Sequence, residues 1–150
     1  MNIKIGSLIG LLVLCTAVQA GANDNFDAGM KAVGAKDYTS ALGKFEAALL
    51  QEPDNLQFGN EYRQTVIKVE AYERSIAFFE KLVAAHPKMS NAWINYGYAH
   101  VDKIPSEGSI TQVLLANTAL GYFTTSIDLK PSWLGYFTRG SSYVYWPAIF

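Results

Sequence analysis

The sequence is poor in the residue types on which most enzyme chemistry depends. It has one cysteine, Cys15, and that cysteine falls inside an N-terminal apolar segment. Without that segment there is no disulfide framework, no cysteine-based zinc site and no cysteine nucleophile. Only two histidines occur, His86 and His100. His86 precedes Pro87 in a turn and reads as a solvated side chain. His100 stands late in a helical stretch, and Asp102 two residues on points elsewhere on such a helix, so no orienting carboxylate supports a general base. There is no H-E-x-x-H, no G-x-S-x-G, no glycine-rich phosphate loop and no calcium loop. An excess of one charge is missing too, with 12 basic against 13 acidic side chains. That balance leaves no electrostatic footprint for nucleic acid. No Asn-x-Ser/Thr sequon is present. These absences argue for a protein that is not an enzyme, carries no cofactor or metal and acts by binding.

Only one long apolar run exists, "IGSLIGLLVLCTAV", preceded by Lys4 and followed by the small-residue ending "VQA". This is the layout of a secretory signal peptide over residues 1–20, cleaved after Ala20, and the run is short for a membrane span. Leu14 stands where an acylated leader needs a small residue before its cysteine, so a lipid anchor is not expected. Cleavage leaves 11 basic against 13 acidic side chains, no membrane span and an exported protein, periplasmic or extracellular. The remaining chain, residues 22–150, is long enough for one domain with a real core.

What the sequence does have is a period. "KDYTSALGKFEAALLQEP" at residues 36–53 is followed 34 residues later by "EAYERSIAFFEKLVAAHP" at 70–87, with Tyr38/Tyr72, Phe45/Phe79, Glu46/Glu80 and Pro53/Pro87 in register. The apolar spacing is helical throughout: Phe26, Met30 and Val33 form one stripe, and Leu42, Phe45 and Leu49 another. "AKD" near residue 36 breaks the first helix, and "QEPDN" ends the second with a proline that a helix cannot absorb. The spacing therefore predicts helix pairs over about 22–55 and 56–89. A third unit, 90–132, begins at "NAWINYGYAHV"; the interval from Pro87 to Pro131 is 44 residues, ten too many, and the excess fits an inserted loop over 102–111. A partial unit occupies 133–150. Self-similarity at such a period indicates a helical solenoid, in which each unit buries its apolar stripe only against its neighbours.

These residues resemble the tetratricopeptide repeat, W-x2-L-G-x2-Y, then A-x3-F, A and P. Gly29, Ala41, Phe45, Ala48 and Pro53 fill the pattern in the first unit; Ser75, Phe79, Leu82 and Pro87 follow it in the second. Trp93, Tyr96, Gly97, Ala119, Phe123, Ser126 and Pro131 fill the third, and Tyr136, Gly140 and Tyr143 open the fourth. The resemblance implies an all-α fold, a right-handed superhelical solenoid of antiparallel helix pairs with about three and a half repeats. It implies a concave groove lined by the first helix of each unit. Carried onto this sequence, that groove face holds Asn23, Phe26, Met30 and Val33; then Asn60, Gln64, Ile67 and Lys68; then Asn91, Ile94, Tyr98 and Val101; then Phe137 and Ser141. Among these, Asn60, Gln64, Lys68, Asn91, Ile94, Tyr98, Phe26 and Met30 are the candidate partner-binding residues. Their amides suit an extended peptide backbone, and Tyr98 and Phe26 offer apolar pockets. The paired cationic clamp that some family members use for a terminal carboxylate is not present, since only Lys68 lies near.

The function that follows is a scaffold or adaptor for a protein or peptide partner. The alternatives are an aromatic-lined groove for a small molecule or glycan, and an accessory domain of a truncated envelope enzyme. Two departures from the repeat stand out. Gly59 replaces a large apolar residue, and Arg63 replaces the usual glycine. Arg63 is expected to reach the surface along its aliphatic stem; if buried it needs a carboxylate, for which Glu61, Glu70 and Glu73 are the candidates. The second departure is the ending "YVYWPAIF", whose Tyr143, Tyr145, Trp146 and Phe150 have no following helix to cover them. They either fold back, or are covered by another chain through self-association, or are followed by further helices.

Overall fold

A computed structural model describes residues 20–145. The expected leader, apart from Ala20, lies outside the described part, and so do Trp146 and Phe150 of the aromatic ending. The described residues form seven α-helices and no strand: α1 (Ala22–Gly34), α2 (Tyr38–Gln51), α3 (Leu56–Val69), α4 (Tyr72–Ala85), α5 (Ser90–Lys103), α6 (Ser109–Leu129) and α7 (Trp133–Tyr145). A short 3-10 turn, Ile104–Ser106, links α5 to α6. The helices pack in chain order as a solenoid of antiparallel pairs.

The period is visible in the backbone as well as in the side chains. Lys36 (φ 60°) and Glu70 (φ 55°) stand 34 residues apart, and both adopt the left-handed conformation that closes a helix. Behind each, a residue one place on donates its N–H five residues back: Asp37 to the Ala32 carbonyl at 2.9 Å and Ala71 to the Val66 carbonyl at 3.1 Å. The next residue in this series is Ile104, and there the device fails. A β-branched side chain is strongly disfavoured at positive φ, and Ile104 stays right-handed at φ −48°. The chain therefore winds on through the 3-10 turn before it can reverse.

This changes the shape of the insertion. Asp102 and Lys103 belong to α5, the irregular link is confined to residues 104–108, and α6 is 21 residues long where α2 and α4 have 14. The extra residues are mostly helix, not loop. The first turns of α6 are half-buried on one side, at Thr111, Gln112, Val113 and Leu115, and leave Ile110 and Leu114 exposed on the other.

Close pairing of helices follows from small residues facing rings. A methyl group built on Gly29 would lie 2.6 Å from the Phe45 ring, and one on Gly97 only 2.3 Å from the Phe123 ring. Both rings are completely buried. Arg63 occupies the same repeat position in α3, and there the intimate contact is lost. α3 and α4 approach each other little; α3 packs against α2 and α5, while α4 packs against α5. The gap between α3 and α4 is filled by large rings, Tyr62 lying 5.2 Å from Phe78 and 5.7 Å from Phe79. Gly59 makes the compensating close approach, since a methyl there would sit 2.2 Å from the Asn95 side-chain nitrogen on α5.

Candidate functional site

Among the first helices of successive units, α3 and α5 pack together, and α7, seated on α6, reaches the pocket they leave through Leu134. Its wall is Leu56, Asn60 and Arg63 from α3, Ile94, Asn95 and Tyr98 from α5, and Leu134 from α7. The helical repeat explains the grouping. Residues 56, 60 and 63 share one face of α3, and 94, 95 and 98 share one face of α5, because three- and four-residue spacings return to the same side.

Arg63 is the organising side chain. It is buried, not a surface residue, and none of the three glutamates expected as its partner holds it. Asp102, from the last turn of α5, accepts a hydrogen bond from Arg63 Nε at 2.7 Å and a second from Nη2 at 3.1 Å. The two side chains are only 9% and 11% exposed. The guanidinium carbon also sits 4.4 Å from the centre of the Tyr98 ring, a cation–π contact strengthened by exclusion of water. Tyr98 is fixed in turn. Its hydroxyl lies 3.2 Å from the Thr138 hydroxyl on α7, and its ring meets Phe123 edge-on at 5.3 Å. One ion pair and one ring thus tie α3, α5, α6 and α7 together beneath the groove.

Of the candidate residues, Asn60, Ile94 and Tyr98 come together in this pocket. Asn60 is exposed, Tyr98 half-buried, and Ile94 shows only a sliver of its surface. Gln64 and Lys68 are exposed farther along α3, and the Lys68 amine lies 5.9 Å from the Tyr38 ring. Met30 is partly exposed on α1.

Two expectations need correction. Phe26 does not offer a pocket: it is buried, stacked on Phe58 at 4.6 Å and tilted against Phe45 at 5.7 Å. Asn91 does not offer its amide to a peptide. Its backbone N–H donates to the Asp54 carboxylate at 2.7 Å, and its side-chain nitrogen donates to the Asp54 carbonyl at 3.0 Å. Asn91 therefore fastens the start of α5 to the turn before α3. Leu56, Asn95 and Leu134 are wall residues that the repeat pattern does not flag. Only the helical spacing from Asn60 and Tyr98 could have signalled the first two.

His100 is placed away from the groove. It is buried among the Tyr96 and Tyr122 rings, with Nδ1 3.1 Å from the Tyr96 carbonyl oxygen. Burial pushes its pKa below the usual histidine value, partly offset by the Tyr96 carbonyl and by Glu73. Lys103, whose amine pairs with Glu73 and with Glu107 at 3.0 Å, is raised by the first of these bonds. Among the described residues no group of three His, Cys, Asp or Glu side chains could hold a metal ion. None of the described helices is long and apolar enough to cross a membrane.

No family model and no curated protein sequence matches the chain. Solved structures do. A thermophilic tetratricopeptide-repeat (TPR) protein from Thermus thermophilus superposes with a TM-score of 0.60 at 19% identity, covering 83% of this chain and 65% of that one. The Sgt2 TPR domain from Aspergillus fumigatus gives 0.55 at 17% identity, with 82% and 77% covered. The N-terminal domain of stress-induced protein-1 from C. elegans gives 0.51 at 18% identity, with 81% and 94% covered. The chain spans less than two thirds of the Thermus protein. At these identities the likeness is one of architecture: the chain has the tetratricopeptide-repeat fold, a helical solenoid of antiparallel pairs.

Proposed function

We propose that this chain is a non-catalytic interaction scaffold that holds a peptide segment of a protein partner in the groove between α3, α5 and α7. The observation that carries the proposal is the pocket itself. Apolar surface from Leu56, Ile94, Leu134 and Tyr98 surrounds the exposed amide of Asn60, which is the mix an extended segment needs: a seat for a side chain and a partner for its backbone. The test is affinity capture with the full chain against Asn60→Ala and Tyr98→Ala. A partner held in the groove is recovered at least fivefold less by both variants, whereas Lys81→Ala on exposed α4 surface has no effect. Equal recovery by all four chains would sink the proposal.

On the same reading the protein works outside the cytoplasm, with its leader removed after Ala20. The Gly21 nitrogen already lies 3.1 Å from the Asp24 carboxylate. Cleavage would make it an ammonium at the start of α1 and turn that hydrogen bond into an ion pair. Mass spectrometry of the chain recovered from the envelope or medium checks this; a first residue other than Gly21 refutes the cleavage site.

One further observation favours self-association. On α7 the side chains of Trp133, Tyr136, Phe137, Tyr143 and Val144 are all largely exposed, and Gly140 has no neighbour within 4 Å of a built methyl. Such a contiguous apolar face is an association surface. Light scattering on the full chain and on Trp133→Ser/Phe137→Ser decides it: a larger species lost in the variant supports pairing, and a monomer in both rejects it.

A further inference from the structure

We propose that the Arg63–Asp102 pair makes the groove select an uncharged, apolar stretch of peptide and turn carboxylates away. The inference rests on the peptide-groove reading above and adds the charge of the ligand to it.

Among the described residues, Arg63 is the only charged one in the wall of the pocket. Taken alone, an arginine in such a wall would attract an acidic group, because its planar fork matches a carboxylate. Here the Nε/Nη2 edge of the fork is already filled. Both Asp102 oxygens accept from it, at 2.7 and 3.1 Å, and the Tyr98 ring lies 4.4 Å from the guanidinium carbon. The unit presented to the groove is a neutral ion pair. A second carboxylate drawn to Arg63 would have to approach the Asp102 charge, and that pair is only 9% and 11% exposed, so little water lies between its groups to screen like charges.

What remains on Arg63 is donor capacity without net charge. A guanidinium has five N–H groups; Nε and Nη2 bond Asp102, and Nη1 makes no hydrogen bond within the described residues. A peptide carbonyl is the acceptor that Nη1 can take without bringing a second negative charge. Asn60 supplies the second polar point, exposed and bonded only weakly to Glu61 at 3.4 Å. Asn95 does not compete, since its nitrogen is committed to the Asn91 carbonyl at 3.1 Å. Leu56, Ile94 and Leu134 then seat one bulky aliphatic side chain. The occupant is a neutral extended segment carrying a leucine, isoleucine or methionine, its backbone crossing Asn60 and Arg63.

The test uses random end-blocked octapeptides on beads, probed with the full chain. Peptides recovered are resynthesised with one residue beside the aliphatic position changed to Asp or to Asn, which have nearly equal size. On the native chain the Asp peptide binds at least fivefold more weakly than the Asn peptide. In Asp102→Asn, with Arg63 left uncompensated, that ratio inverts. Equal binding of the two peptides to the native chain overturns the inference, and so does an unchanged ratio in a folded Asp102→Asn variant. If that variant does not fold by circular dichroism, the native comparison alone decides. Failure of the underlying reading looks different: no octapeptide is recovered, or the recovered ones bind Asn60→Ala and Tyr98→Ala as well as the native chain.

Discussion

Arg63 and Asp102, 39 residues apart in sequence, are joined by two hydrogen bonds of 2.7 and 3.1 Å between α3 and α5. The contact spans two repeat units, and it stands where α3 has forfeited the close glycine contact that the first and third units keep. A buried pair of this kind gives little net stability over an apolar replacement, but losing one member is costly.

Removing one partner should therefore destabilise strongly. Asp102→Ala or Arg63→Ala is expected to lower the unfolding free energy by about 3 kcal/mol, because it strands a buried charge. The paired replacement Arg63→Met/Asp102→Leu should recover most of that loss. Urea unfolding of the four chains gives the answer. If the double variant is as unstable as the singles, packing and not charge compensation is what the pair supplies.

The glycines divide into two groups with opposite expected signs. Gly29→Ala and Gly97→Ala drive a methyl into the buried Phe45 and Phe123 rings. Overpacking of that kind costs about 1–3 kcal/mol. Gly43 has no neighbour within 4 Å of a built methyl and is exposed within α2. Gly43→Ala should raise stability by about 0.5–1 kcal/mol through helix propensity alone. Denaturant midpoints that move in the same direction for all three would contradict this account.

Left-handed turn residues supply a third expectation. Glu70 and Lys36 are exposed and hold φ values of 55° and 60°, a conformation that costs a side-chain-bearing residue about 1 kcal/mol relative to glycine. Glu70→Gly and Lys36→Gly should each stabilise by up to that amount, less the added freedom of the unfolded chain. Thermal unfolding reads the effect. A lowered midpoint in both would mean that their side chains make contacts outweighing the backbone strain.

Alkaline pH should unfold the protein through Tyr62. Its hydroxyl donates to Glu46 at 2.8 Å, and the same carboxylate takes Nε and Nη2 of Arg74 at 2.8 and 2.9 Å. Burial, then the Glu46 charge, push the phenol well above the usual tyrosine value. Tyr96 is pushed the same way by burial and by its neighbour Tyr122. A raised folded-state pKa means the fold keeps protons that the unfolded chain releases. The stability contribution is whole below about pH 10, where free tyrosine titrates, and is lost as pH rises beyond it. Urea midpoints from about pH 8 to 11.5 should fall steeply above 10, and less steeply in Tyr62→Phe. Phenolate absorbance that appears in full before unfolding would refute the assignment.

Legibility is uneven for physical reasons. Gly29, Phe45, Gly97 and Phe123 announce their helix pairs because small and large residues recur at fixed spacing, and each pair meets within one unit. Asn91 reads as a groove amide because spacing puts it on the right face of α5. Nothing in spacing shows that Asp54, in the turn before α3, already uses its donors. Phe26 likewise lies on the groove stripe, yet Phe58 in the next unit covers it.

By itself the sequence determined the period, the helices, the turns and the chain's near-neutral charge, because these depend on residues one helical turn or one repeat apart. It also marked the stretch after Val101 as the place where counting by thirty-four breaks, although not that the surplus would lengthen α6. The tertiary structure decided where Arg63 goes, which amides stay free and what charge the groove presents. Each of those depends on a partner in another unit, and which partner arrives is settled only when neighbouring helices have packed and water has been excluded between them.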